Sequence, residues 1–332
     1  MRLLPILAIL IASFQCAILA SAAQPTLTLA DEQEILKKYP KSDVLMPLKQ
    51  VSEHVYYVHG IAGTATENEG FISDSGFVVT KEGVVVFDAL GSPSLAVRLY
   101  ENIRTVTDLP IKKVFVSHYH ADHIYGLQVF KELGAEVYAP AGADTYLISP
   151  QAETRLKERR VSLKPWVNED TYVVKPDVYL EKDTKFSLGG FDFEINLLGE
   201  AHSDGDLTMY VVNERVLFSG DIIFEGRVPF VGDANTKNWL ETLQKLEVSK
   251  VVALIPGHGP AATNPNEAIS ATRSYLEVLR SNMSAAVDDL VPFSEAYAAI
   301  DWSKFSSLPA FKAANRRNAY QVYLSIEAEQ IN

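Results

Sequence analysis

The chain has 332 residues, 47% of them hydrophobic, and a formal net charge of −12 at pH 7. An apolar share of that size over that length can bury a large core, which argues against a disordered tail or a scaffold and makes one folded domain the economical reading. The acidic balance would repel a phosphate backbone and argues against nucleic-acid binding, despite a local basic patch at Lys157-Glu158-Arg159-Arg160.

The first element in chain order is an apolar run. Arg2 precedes Leu3 through Leu19, and Ala20-Ser21-Ala22-Ala23-Gln24 has the small-residue pattern of a secretory cleavage site. Residues 1–23 therefore read as a secretory signal peptide, and the mature protein is expected to be secreted or periplasmic, with no stable membrane insertion after cleavage. The competing reading, an uncleaved anchor, is weakened by Pro5 and Gln15, which interrupt the run. The sole cysteine, Cys16, lies inside this segment, so the mature chain has neither a disulfide nor a thiolate ligand. Phe14 and Gln15 are larger than the residues usual before a lipidated cysteine. Loss of Arg2 would take the net charge to about −13.

Residues 24–50 read as an N-terminal extension and residues 51–285 as the catalytic domain. Residues 55–59, 70–80 and 83–88 look like strands, rich in Val, Ile, Tyr and Phe and punctuated by glycine. Ser92-Pro93-Ser94 with Leu95, Leu99 and Ile103 predicts a helix ending near Thr107.

The apolar stretch Val114-Phe115-Val116 then leads into His118-Tyr119-His120-Ala121-Asp122-His123, four possible metal ligands within six residues. Extended backbone points residues i and i+2 to one side, so His118 and His120 can share one ion while Asp122 and His123 turn toward a second. A helix beginning at Ala121 would help hold Asp122 through its dipole, although a plain first-turn acid is the alternative.

Residues 141–178 form a mixed-charge, partly helical insertion, able either to overhang an active-site mouth or to serve as surface elaboration. Within it Trp166 reads as a buried anchor in preference to a substrate-stacking ring. Three more ligand candidates follow apolar runs beside glycine: His202 in Gly199-Glu200-Ala201-His202-Ser203-Asp204-Gly205, Asp221 after Ser219-Gly220, and His258 in Pro256-Gly257-His258-Gly259. Glycine there lets backbone approach an ion closely. A helix over residues 238–247 and an amphipathic helix through Ile269, Leu276, Leu279 and Met283 come next, and residues 286–332 read as a C-terminal helical extension.

The order and spacing of these residues resemble the metallo-β-lactamase superfamily from about residue 51 to residue 260. The resemblance implies an α/β fold, the four-layer αβ/βα sandwich, which the run of elements also supports. It implies His118, His120 and His202 as ligands of one metal, Asp122, His123 and His258 as ligands of another, and Asp221 as the bridging carboxylate. Asp88, ending an apolar strand, is expected to support the site from behind, because a metal-bound imidazole needs its other nitrogen fixed. In related folds the hairpin over residues 60–70 covers the substrate. His54 and His59 are expected to do no chemistry.

The implied function is a dinuclear zinc hydrolase acting on an ester, thioester, lactone, amide or related bond of a small molecule, with two Zn²⁺ as cofactors and Asp122 and Asp221 as the catalytic carboxylates. No serine or cysteine nucleophile is needed. β-Lactamases of this superfamily carry cysteine or serine at the Asp221 position, and the first cation after it here is Arg227, so β-lactam hydrolysis stands as an alternative only. Glyoxalase II-like enzymes keep the aspartate, but no basic C-terminal segment suits glutathione. The wording around His202 and Asp221 is similar to periplasmic hydrolases associated with sulfur-oxidation and quinoprotein pathways. Two further alternatives are a mononuclear iron persulfide dioxygenase-like oxidoreductase and a metal-binding protein without turnover.

Overall fold

The computed structural model describes residues 27–331, so the expected signal peptide and Cys16 lie outside the described residues. Strands β1 (Leu48–Gln50), β2 (Val55–Val58), β3 (Ser75–Val79), β4 (Val84–Phe87), β5 (Ile111–Phe115), β6 (Glu136–Pro140) and β7 (Val178–Leu180) form one sheet in sequential order. It is antiparallel from β1 to β4 and parallel from β4 to β7. The second sheet holds β8 (Thr184–Leu188), β9 (Phe191–Gly199), β10 (Asp206–Val211), β11 (Val216–Phe224) and β12 (Ala253–His258), with only the last pair parallel.

Alternation of side chains along the strands builds four layers. Val85 and Phe87 of β4 face the other sheet and join Phe193, Ile195, Met209 and Phe218 in the inter-sheet layer. Val84 and Val86 face outward against Leu95, Leu99 and Ile103 of α2 (Pro93–Arg104). On the opposite face Leu217 and Ile222 pack with Trp239, Leu276 and Leu279. Those last three come from α7 (Thr236–Lys245) and α8 (Pro265–Asp288). The expected αβ/βα sandwich is therefore the observed architecture. Helix α2 starts as its sequence predicts, with Ser92 Oγ accepting from Leu95 N at 3.2 Å and Pro93 in the first turn. Among the described residues no helix is long and apolar enough to cross a membrane.

Two local expectations, the start of one strand and the burial of Trp166, need correction. The strand expected over residues 70–80 starts only at Ser75: Ile72 N turns back to Gly70 O, Ile72 O accepts from His258 Nδ1 and Asp74 N bonds to Gly257 O of the other sheet, so these residues do not join the ladders to β2 and β4. The hairpin over residues 60–70 holds a short 3₁₀ turn, Ala65–Glu67, closed by Glu67 accepting from Thr64 N at 3.0 Å. Trp166 is not a buried anchor: it is half-buried, and its indole donates to Lys41 O at 3.3 Å. Leu163 and Val167, at 2% and 0% exposure, tie the insertion down instead, after its two helices, Ala143–Leu147 and Pro150–Ser162.

Candidate metal centre

All seven expected ligands come together at one end of the two sheets. β5 delivers the motif segment, whose Ala121–Ile124 turn is helical as expected. The His118 Nε2 atom lies 2.9 Å from His120 Nδ1, which lies 3.0 Å from His202 Nε2. Asp122, His123 and His258 form a second group, with His258 Nε2 3.3 Å and His123 Nε2 3.7 Å from Asp122 Oδ2. Asp221 stands between them: Oδ2 is 3.2 Å from both His202 Nε2 and His258 Nε2, and Oδ1 is 3.2 Å from His123 Nε2.

Backbone shape explains how Asp221 reaches that position. Gly220 has φ +53°, and a Cβ there would lie 2.4 Å from Ser117 Cβ, while a Cβ on Gly257 would lie 2.0 Å from Asp221 Oδ1. Only glycine lets these segments approach the carboxylate so closely.

Behind the ligands a layer of polar groups fixes the imidazoles. Asp88 Oδ2 accepts from His123 Nδ1 at 2.9 Å and from Ser117 Oγ at 2.8 Å, and its Oδ1 accepts from Ser117 N at 2.7 Å. This is the supporting role expected of Asp88, adopted at φ +62°, a left-handed conformation that costs of order 1–3 kcal/mol for a non-glycine residue. Ser117 Oγ lies 2.9 Å from His118 Nδ1, and His258 Nδ1 donates to Ile72 O at 2.7 Å. Ser73 Oγ donates to Asp122 O at 2.5 Å, and Asp74 N to Gly257 O at 2.7 Å. Asp206 closes the His202 loop by accepting from Ala201 N, Ser203 N and Ser203 Oγ at 3.2, 2.9 and 3.0 Å.

Sequence reasoning did not single out Ile72, Ser73, Ser117 or Asp206. The first acts through its carbonyl, which no side-chain pattern reveals; the polar residues adjoin the motifs and were readable as loop chemistry. His54 and His59 stand outside the ligand groups, on Glu214 at 2.6 Å and Asp74 at 3.0 Å.

Electrostatics divide the centre in two. Burial, reinforced by the neighbouring His123 and His120 charges, holds His118 well below the ordinary histidine range; burial also lowers His120, and takes His202 down to about 3 against the pull of Asp221. On the other side burial is outweighed. It opposes protonation of His258, yet the Asp221 charge and the hydrogen bonds to Asp122 and Asp221 raise it to about 9. His123 is raised likewise by Asp221, Asp88 and Asp122 against its burial. Burial pushes Asp122 upward, but His123 and His258 hold it well below the usual carboxylate range.

The donor set passes a direct test of metal fit. His123 Nε2 and Asp221 Oδ1 are buried without hydrogen-bond partners although they face each other. Such buried polar atoms are costly unless something else satisfies them, and three groups of imidazole and carboxylate atoms here have the spacing to hold a cation. The loop carrying His202 also lines a cavity of about 430 Å³ whose wall includes Glu181, Glu200, Asp204 and Asp206.

The metallo-beta-lactamase superfamily model matches residues 68–258, more than half of the chain. Metallo-beta-lactamase IND-1 of Chryseobacterium indologenes is 26% identical over 66% of this chain and 83% of its own. Hydroxyacylglutathione hydrolase GloC of Haemophilus influenzae is 28% identical over 51% of this chain and 77% of its own. Among solved structures, the sec-alkylsulfatase Pisa1 from Pseudomonas sp. superposes with a TM-score of 0.66 at 19% identity, covering 85% of this chain and 50% of that one, a likeness of fold. The fold and the convergence of histidine and aspartate define a metal-dependent hydrolase. The chain belongs to the metallo-β-lactamase superfamily.

Proposed function

We propose that the protein is an exported dinuclear zinc hydrolase that cleaves an ester, thioester, lactone or amide bond of a small molecule. His118, His120 and His202 would hold one ion, Asp122, His123 and His258 the other, and Asp221 both. The observation that carries this reading is Asp221, whose two oxygens reach imidazoles of both groups at 3.2 Å. Imidazole with carboxylate and no thiolate suits zinc. Two such ions supply Lewis acidity and a water nucleophile at neutral pH.

The protein's own groups supply orientation and proton handling. Asp122 stays ionised at neutral pH and is 21% exposed, so it can accept a proton from the nucleophile and return it to the leaving group. His118, His123 and His258 are fixed from behind by Ser117, Asp88 and Ile72, which keeps their free nitrogens aimed inward. Ser203 and Ser219 hydroxyls bond only to Asp206 and to backbone groups among the described residues, which supports a mechanism without a serine nucleophile.

β-Lactam hydrolysis is the second reading, supported by the similarity to the IND-1 enzyme and opposed by aspartate at position 221. Metal analysis with a hydrolysis screen tests both. About two zinc ions per chain and turnover of a p-nitrophenyl ester, a thioester or a lactone support the proposal, and turnover of nitrocefin alone favours the second reading. A single iron with oxygen consumption would sink both, and bound zinc with no turnover of any probe would leave a metal-binding protein.

A further inference from the structure

The C-terminal helix α10 (Phe311–Ile331) buries Ala314, Asn315, Asn318, Ala319, Val322 and Ile326, the spacing of one helical face. Two asparagines in an apolar stripe are costly unless their amides are satisfied. Here they are satisfied in one connected network. Asn318 Oδ1 accepts from Val231 N at 3.0 Å, and its Nδ2 donates to Pro229 O at 2.7 Å and to the Tyr275 hydroxyl at 2.9 Å. Tyr275 donates to Asn315 Oδ1 at 2.8 Å, and Asn315 Nδ2 donates to the Tyr297 hydroxyl at 3.0 Å. Asn315 and Asn318 are 0% and 2% exposed, so water does not compete. Just before α10, Pro309 O accepts from Val228 N at 3.0 Å.

The other side of this network is residues 225–235, the connection from β11 to α7, which has neither helix nor strand of its own. That connection forms part of the wall of the metal centre. Arg227 Nη1 lies 3.4 Å from His258 Nδ1, and its guanidinium sits 4.9 Å over the Phe230 ring, which is itself 6.4 Å from the His258 ring. The wall therefore packs against the His258 side of the centre. Asn318 itself has no hydrogen bond or ion pair to any of the seven ligand candidates among the described residues.

We infer that Asn318 is a positioning residue: through Pro229 and Val231 it holds the 225–235 wall over the metal centre, so that the C-terminal helix governs how substrate is seated and not how metal is bound. The inference rests on the hydrolase reading above for its consequence on turnover, but not for its local readout. Amide hydrogen exchange on the full, zinc-loaded protein supplies that readout.

In Asn318→Ala, exchange at Val228 and Val231 should rise about tenfold or more, while β11 and β12 and the zinc content stay as in the wild type. KM for the probe ester or thioester should rise severalfold more than kcat falls. Asn318→Asp, which keeps the acceptor toward Val231, should recover part of the protection there. Asn315→Ala removes comparable buried hydrogen bonds away from the wall and should leave wall exchange and KM near wild type. If Asn318→Ala does not fold, Asn318→Asp against Asn315→Ala decides the matter.

Unchanged wall exchange and KM in both Asn318 variants, or equal loosening of all strands, would overturn the inference. Should the wild type turn over none of the probes, the hydrolase reading fails, while the exchange at Val228 and Val231 still decides the pinning.

Discussion

His118, His120 and His202 meet as three imidazoles whose protonation burial disfavours, whereas His123 and His258 meet a carboxylate, Asp122, and lie beside Asp221, whose charges favour their protonation against burial. Their supports differ as well. The second group is braced by Asp88 at the end of β4 and by Ile72 and Ser73 just before β3. The first depends on Ser117 behind His118 and on a loop that Asp206 closes around His202. His202 Nδ1 is buried with no hydrogen-bond partner among the described residues. The His123 and His258 half is thus braced by groups at strand ends and the His202 side by a loop, while Asp88 reaches His118 through Ser117, and Asp221 is the group common to both.

That contrast makes Asp221→Ala the largest expected effect. Both groups lose their shared carboxylate, so turnover should vanish and zinc content should fall on both sides, beyond the roughly 10–100-fold that removing an outer partner of a ligand costs. Metal analysis after dialysis, with kinetics on the same sample, measures it. Wild-type activity, or loss of only one of two ions, would break the bridging assignment.

Asp88→Ala and Asp206→Ala separate the halves, each with an expected loss in zinc affinity of about 10–100-fold. For Asp88→Ala the ion weakened most should be the one beside His123, whose ring Asp88 holds directly, with a smaller effect beside His118, which it reaches through Ser117; for Asp206→Ala it should be the one beside His202. Cobalt substitution distinguishes them, because a site of three imidazoles with the shared carboxylate and a site of two imidazoles with two carboxylates differ in their visible spectra. If both variants weaken the same ion most, the two supports are not independent.

The candidate ligands were legible in the sequence because metal binding demands particular side chains at particular spacings, and His118, His120, Asp122, His123, His202, Asp221 and His258 come together in the fold. The four layers were legible from the strand runs rich in Val, Ile, Tyr and Phe, the i, i+4 repeat of α2 and the resemblance of the ligand pattern. Residues 70–74 misled for a definite reason: their apolar composition says strand, while their backbone bonds to the preceding hairpin, Gly257 and His258, and the Ser73 hydroxyl bonds to Asp122. Trp166 misled because size suggests burial, whereas its ring caps the N-terminal extension at Lys41 from a half-exposed position. Asn318 was illegible. An asparagine in a helix far from any motif acquires meaning only when the fold brings Pro229 and Val231 against it.

Trp239→Phe probes the loop-held half more gently. The indole is fully buried, 5.1 Å from the His202 ring, and donates to Ile222 O at 3.0 Å. Its loss leaves that carbonyl unpaired at a cost of about 1–3 kcal/mol, so thermal denaturation should show a lower Tm. The ion beside His202 should bind severalfold more weakly and the other should not change. Equal weakening of both would mean that Trp239 stabilises the sandwich as a whole.

Ser73→Ala is the smallest expected effect and the sharpest check on the sheet-braced half. It removes one hydrogen bond, to the Asp122 carbonyl, in a region where Asp88 and Ile72 still hold the neighbouring imidazoles. A single intramolecular hydrogen bond contributes about 0.5–1.5 kcal/mol net, so stability should fall by about that much in denaturant unfolding of the zinc-loaded protein. Zinc affinity should change by less than in Asp88→Ala, because Asp88 fixes a ligating ring directly, whereas Ser73 only steadies the turn that carries Asp122. A loss of metal as large as that of Asp88→Ala would mean that the turn, and not the imidazole support, holds this half of the centre together.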